Sequence, residues 1–220
     1  MKQYLHRHTY AVIFTVLFIA GFSIIAMSVM NKDAMLIDSY TKGHFQFLQD
    51  QQSLKLFSYI TMLGGAKGIV VVLVLSLLWL GIKRRYTSMI VLVLAVITTH
   101  FANDAIKNVF ERQRPTINPL YDAIGYSFPS GHAMVSIVIY GFLAFLLMNE
   151  TRNQARKVVI VTLTAILVGL IGFSRVVLSA HYPSDVLAGY CMGGMMLIMF
   201  MYIHQYFLSR QQQKRRRFVR

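Results

Sequence analysis

Three short clusters hold the residues best suited to chemistry. Lys107 is followed after six residues by Arg114-Pro115, then comes Pro129-Ser130-Gly131-His132. Ser174-Arg175 leads after five residues to His181, and after three more to Asp185. Three cations from separate segments predict an anion site. Phosphate is the leading candidate, because an arginine fork matches its oxygens. His181 and Asp185 are four apart, so on one helical turn, or on the loop entering it, the carboxylate can reach the imidazole. An imidazole oriented this way serves as a nucleophile or a base. Ser130-Gly131-His132 opens an apolar run, where free N–H groups and the helix dipole favour an anion. Gly131 lets backbone approach a ligand without a Cβ in the way, and Pro129 fixes the entry. An ordinary helix start with Ser130 as N-cap accounts for the serine and proline, but not for a histidine just inside an apolar helix.

Two competing readings of these residues are weaker. Isolated Lys107 or Arg175 could simply snorkel to headgroups, but three cations beside span ends on one face argue for convergence. Two histidines and an aspartate also suit zinc. The spacing lacks a His-x-x-x-His or His-Glu pair on one helix, and three cations would repel a divalent ion. No metal and no other cofactor is expected.

Groups of this kind need a scaffold, and the composition indicates a membrane bundle. The chain has 220 residues, 56% hydrophobic and only 14% charged, against roughly a quarter charged in soluble domains. Disorder is excluded by the same figures, and a lone Cys191 excludes an internal disulfide. A bilayer core of about 30 Å needs about 20 helical residues. Uncharged stretches Thr9–Asn31, Tyr86–Asn103, Val158–Ser174 and Val186–Leu208 meet that length. Gly68–Ile82 does so when extended back to Tyr59, and Ala133–Asn149 when it starts near Pro129. The expectation is an all-α single membrane domain over residues 1–220, with six transmembrane helices. Continuous apolar runs without alternation exclude a membrane barrel. The first stretch is too long for a signal-peptide core and is expected to be a retained helix.

Orientation follows from the basic residues. One side collects the N-terminus, Lys83-Arg84-Arg85, the loop with Arg152, Arg156 and Lys157, and the tail at 210–220, giving 14 basic residues against Glu150 alone. The other side has eight basic and seven acidic residues. The strongly positive side is expected to be cytoplasmic, with both termini inside and the three clusters at the outer face. The tail then anchors topology and contacts anionic lipid; a nucleic-acid partner is not expected. In the external segment at 31–67, Phe47, Leu54, Phe57 and Ile60 recur at near-helical spacing. They predict an amphipathic helix that either rests on the outer membrane face or packs over the bundle as a lid.

Taken together, the motifs resemble the complete three-part signature of the type 2 phosphatidic acid phosphatase superfamily, which also includes bacterial acid phosphatases and vanadium haloperoxidases. The match covers residues 107–185 in order, with every signature position occupied. Six spans with an outward site are similar to the bacterial membrane lipid phosphatases of that group, those acting on undecaprenyl diphosphate or phosphatidylglycerophosphate. The resemblance implies that His181 attacks phosphorus to give a phosphohistidine, which water then hydrolyses. It implies that Asp185 holds the His181 tautomer, and that His132 protonates the leaving oxygen and then activates water. Lys107, Arg114, Ser130, Gly131 and Arg175 would bind the phosphate oxygens, with Ser174, Pro115 and Pro129 in support. The implied substrate partner is a membrane lipid phosphate, and the implied role lies in the cell envelope. A lipid phosphotransferase could use the same residues, with an acceptor hydroxyl in place of water. A non-catalytic lipid-binding or transport protein would be expected to have lost His181 or Arg175.

Other polar residues carry smaller expectations. Asp104 and Glu111 flank Lys107 at helical spacing and could pair with it. Tyr121, Asp122, Tyr126 and Phe128 precede the second motif and could shape headgroup selection, although an interfacial aromatic belt accounts for the tyrosines. His44, His100 and His204 are expected to be structural, and the methionines of 192–201 to be lipid-facing or packing surface rather than a metal path.

Overall fold

The computed structural model describes residues 2–32, 36–39, 48, 50–115 and 125–218, with side chains described between residues 9 and 213. Seven helices form its frame: α1 (Lys2–Met30), α2 (Gln51–Met62), α3 (Ala66–Ile82), α4 (Tyr86–Phe110), α5 (Gly131–Glu150), α6 (Gln154–Val177) and α7 (Pro183–Phe218). Among the described residues no strand is present. Among the described residues, five helices (α1, α4, α5, α6 and α7) are long and apolar enough to cross a membrane alone. The bent pair α2–α3 provides a sixth candidate crossing.

That pair departs from the sequence expectation. Tyr59–Ile82 reads as one continuous span, but the chain breaks at 63–65 and bends by 44°. Gly64 and Gly65 weaken the helix there. The Tyr140 hydroxyl of α5 donates to the Leu63 carbonyl at 2.8 Å, which satisfies a group freed by the break. A Cβ on Gly64 would lie 2.4 Å from the Ile171 side chain, so the break passes where only glycine fits. The amphipathic helix is seen over Gln51–Met62, and Phe47 lies outside the described residues. Asp50 caps it by accepting from the Ser53 N–H at 2.9 Å. Its apolar side settles on the end of α6: Phe57 is buried against Val177 and Leu178, and meets Phe173 edge-on at 5.6 Å. Of the two expected placements, this is packing over the bundle.

α5 is the central helix. Its sequence is apolar on all sides, as a helix packed on several faces must be, and far more of it is buried than of α1. Val138, Ile139, Phe142 and Leu146 meet Leu80 of α3, Leu92 and Ala95 of α4, and Phe200 of α7 in the main core. Met196 and Met201 pack against this core, in line with a packing role for the methionine-rich stretch. α1, α3 and α6 turn large apolar residues outward, including Phe14, Ile24, Val70, Leu78 and Leu163. In water such bands would be a liability; in a bilayer they are the solvent-facing surface. α7 reaches the start of α5 through Gly189, where a Cβ would sit 2.6 Å from the Ser130 carbonyl oxygen. Small residues permit this approach of helix backbones.

Candidate active site

Helix ends position each reactive group. α4 stops at Glu111, which takes a left-handed turn (φ 45°) with its N–H on the Lys107 carbonyl. The turn sends the chain back across the bundle end, so Arg112 and Arg114 both face inward. The Ser127 N–H pairs with the Arg112 carbonyl at 2.8 Å, which fixes this strip against the run into α5. α6 closes similarly: Ser179 is left-handed, and the Ala180 and His181 N–H groups both bond the Arg175 carbonyl, at 3.0 and 3.2 Å. Arg175 and His181 are therefore tied through one backbone turn. α7 starts at Pro183, a favoured first-turn residue. Asp185 accepts the Tyr182 N–H at 2.9 Å, the acid's half of a capping box.

Asp185 is fully buried and densely held. Its carboxylate takes Ser127 Oγ on one oxygen and Arg112 Nη1 on the other, each at 2.5 Å. His181 Nδ1 lies 3.6 Å from it, an electrostatic contact, with Ser127 Oγ 3.4 Å from the same nitrogen. On the far side of the ring, Arg114 Nη1 stands 3.2 Å from Nε2. A guanidinium only donates, so Nε2 accepts and the proton belongs on Nδ1, toward Asp185. The Nε2 lone pair thus faces the cations. Burial, reinforced by Arg175 and Arg114 and opposed by Asp185, pushes His181 down to about 4. If Nε2 is an attacking atom, it needs the neutral ring, and the acid limb of kcat/KM is then expected near pH 4, rather than near the ordinary histidine value of about 6.5. A limb near 6.5, after allowance for ionisation of the substrate phosphate, would contradict a nucleophile buried in this way.

Two donors in the site have no partner among the described residues: Arg175 Nε and Ser130 Oγ, both buried. Arg175 Nη1 is held by Thr61 of α2 at 2.8 Å. Buried polar groups are almost always satisfied, so these two donors are available to an acceptor that enters the site. His132 lies one residue into α5, close enough to Lys107, Arg114, Arg175 and His181 for all four to act on it electrostatically. The α2–α3 break covers it: a Cβ on Gly65 would be 3.4 Å from His132 Nε2.

The structure therefore brings Lys107, Arg114, Ser130, His132, Arg175, His181 and Asp185 to one end of the bundle. Gly131 has a second reason to be small: a Cβ there would meet Asn103 Oδ1 at 2.9 Å, while Asn103 Nδ2 donates to the Pro129 carbonyl at 3.2 Å. Phe128, packed 4.7 Å from the ring of Phe110, anchors the approach to Pro129. Ser174 gives its hydroxyl to the Ile171 carbonyl of its own helix, and Pro115 follows Arg114 at the edge of the described residues. Of the two acids expected to pair with Lys107, Asp104 acts on it electrostatically without a close ion pair, and Glu111 does not. Asp104 faces His100 at 3.5 Å, and Glu111, beyond the helical turn, accepts from the Tyr126 hydroxyl and pushes that phenol up. Tyr121, Asp122 and His44 lie outside the described residues.

Sequence reasoning missed a second layer around Asp185. Arg112 Nη2 donates to Asp38 at 2.7 Å, and Asp38 accepts from the Ser184 N–H at 3.0 Å and from its hydroxyl at 2.6 Å. The Arg112 guanidinium also stacks over the Tyr182 ring at 4.2 Å. Burial opposes the Arg112 charge, but Asp185 and Asp38 outweigh it and raise its pKa.

A multi-helix membrane bundle with a histidine–carboxylate pair beside several cations defines a class of protein, a membrane-spanning helical bundle with an anion-suited site at one end. The family comparison agrees: the PAP2 superfamily model matches residues 88–209, and the chain belongs to that superfamily. It is similar to phosphatidylglycerophosphatase B of Bacillus subtilis, 29% identical over 135 residues, covering 61% of this chain and 66%, just under two thirds, of that protein. Its fold matches the crystal structure of the transmembrane PAP2-type phosphatidylglycerolphosphate phosphatase from Bacillus subtilis with a TM-score of 0.80 at 23% identity, covering 87% of this chain and 96% of the other. Aquifex aeolicus LpxE follows at 0.61 and 23%, covering 77% and 97%.

Proposed function

We propose that this protein hydrolyses lipid phosphates through a phosphohistidine. The observation that carries the reading is the His181 Nε2 lone pair, set 3.2 Å from Arg114 Nη1, with the Arg175 charge acting on the same ring. An incoming phosphate takes those donors, and its charged oxygen outcompetes neutral Nε2 for the Arg114 N–H. His181 Nε2 then attacks phosphorus in line, the bond to the lipid oxygen breaks, and His132 protonates that oxygen. In the second step His132 takes a proton from water, the water oxygen attacks the phosphohistidine, and inorganic phosphate leaves. Asp185 holds the Nδ1 proton and stabilises the positive ring throughout. Lys107, Arg114, Ser130, the Gly131 N–H and Arg175 carry the charge on the equatorial oxygens, which is most of what phosphoryl transfer requires.

The relatives' names concern phosphatidylglycerophosphate, which makes it a leading substrate here. The charge asymmetry supports an outward site with both termini inside, and that placement favours undecaprenyl diphosphate. The basic tail would then lie against anionic lipid. The deciding experiment measures phosphate release by the purified protein in detergent with EDTA. Undecaprenyl diphosphate, phosphatidylglycerophosphate and phosphatidic acid are compared at matched surface concentration. A preference for one of the first two is expected; no release from any of the three would overturn the reading.

A further inference from the structure

The opposite end of the bundle carries an open cavity of about 640 Å³, between the α3–α4 turn and the last turns of α7, whose lining mixes polar and apolar groups. The site cations do not reach it: Thr87 at its wall and Lys107 are 20 residues apart on α4, about 30 Å at 1.5 Å per residue. Two arginines line it. Arg85 is engaged by Glu150 at 2.9 Å, and Arg84, turned out by a left-handed backbone (φ 53°), has no ion pair among the described residues. The N-terminus of the 25-residue α4 opens here, and no side chain caps it. Its free N–H groups and positive dipole end favour an anion.

His204 provides an independent indication. It lines the cavity, is only 2% exposed and sits edge-on to Phe142 and Phe145. Its Nε2 meets Ser88 Oγ at 2.9 Å, while its Nδ1 has no partner among the described residues. In either tautomer the buried Nδ1 is left without a partner among the described residues, and in the one where Ser88 donates to Nε2 that atom is a donor that an anion would satisfy. Leu146 and Leu208 supply an apolar margin beside these donors. We propose that this cavity is a second anion site that takes a phosphate group, presented by a phospholipid headgroup or by free inorganic phosphate, remote from the hydrolytic centre.

The test places one reporter at the cavity wall: Thr87→Cys in a Cys191→Ser background, with the rate of modification by neutral N-ethylmaleimide read by mass. Inorganic phosphate is titrated in detergent, and phosphatidylglycerol nanodiscs are compared with phosphatidylcholine nanodiscs. At saturating ligand, protection of about tenfold or more is expected. Protection by phosphatidylglycerol alone assigns a headgroup, and protection by inorganic phosphate assigns the free ion. Arg84→Gln with Arg85→Gln should abolish protection without changing hydrolysis at the catalytic site. Equal rates in all arms, or protection that survives the double substitution, would overturn the proposal. Native mass spectrometry with the natural Thr87 and Cys191 gives a second reading: the arginine pair variant should retain one fewer phosphorylated ligand, and an unchanged count would also refute the site.

Discussion

Replacing His181 with alanine is expected to lower lipid phosphate hydrolysis by about six orders of magnitude, the scale on which loss of a catalytic nucleophile is felt. The reason is positional. Nε2 is the one imidazole nitrogen whose lone pair faces the cations, because Arg114 can only donate to it and Asp185 claims the other side of the ring. The remaining cations would still bind phosphate, so KM should change far less than kcat. His181→Asn, closer in shape, should be equally inactive if chemistry rather than packing is lost. His132→Gln separates the two half-reactions. An aryl phosphate has a leaving group that needs little protonation, so the first step should survive while the second, which requires a base, slows. The labelled phosphoenzyme should then accumulate as an acid-labile, alkali-stable adduct on His181. Substantial turnover by His181→Ala, or label on another residue, would remove the phosphohistidine from the mechanism.

Much of this site was legible because polar residues stand out in a chain that is 56% hydrophobic. Lys107, Arg114, His132, Arg175, His181 and Asp185 are conspicuous in such a background, and their positions beside span ends place them on one face. What stayed hidden depends on backbone turns that carry no mark in the sequence. Arg112 was visible only as a charge, because the left-handed turn that aims it inward falls on a glutamate, a residue with no preference for that conformation. The same turn removed the helical spacing that would have joined Glu111 to Lys107. The α2–α3 break had a local sign in Gly64-Gly65, but apolar continuity argued the other way. The group that fixes the break, Tyr140, belongs to a different helix. Asp38 had no local sign, since its partner Ser184 lies 146 residues away.

Arg112→Ala should be the most destabilising single change near the site. Arg112 bridges two largely buried acids, Asp38 and Asp185, whose side chains are 7% and 0% exposed. Removing it leaves two negative charges facing each other with little water to screen them. Loss of one partner from a buried pair costs about 3–5 kcal/mol, and here the Tyr182 stacking contact goes as well. The midpoint of thermal unfolding in detergent should fall accordingly. Arg112→Lys should recover only part of the loss, because one ammonium cannot fork between two carboxylates. Asp38→Asn in the Arg112→Ala background should restore stability relative to Arg112→Ala alone, since it removes one of the stranded charges; a double-mutant cycle isolates that coupling. Catalysis distinguishes this positioning role from direct substrate binding. If Arg112 acts by holding Asp185 against His181, the lysine variant should lose kcat with KM nearly unchanged. If Arg112 instead grips the substrate phosphate, KM should rise and the unfolding midpoint should hardly move, and the bridge would have to be assigned to substrate binding.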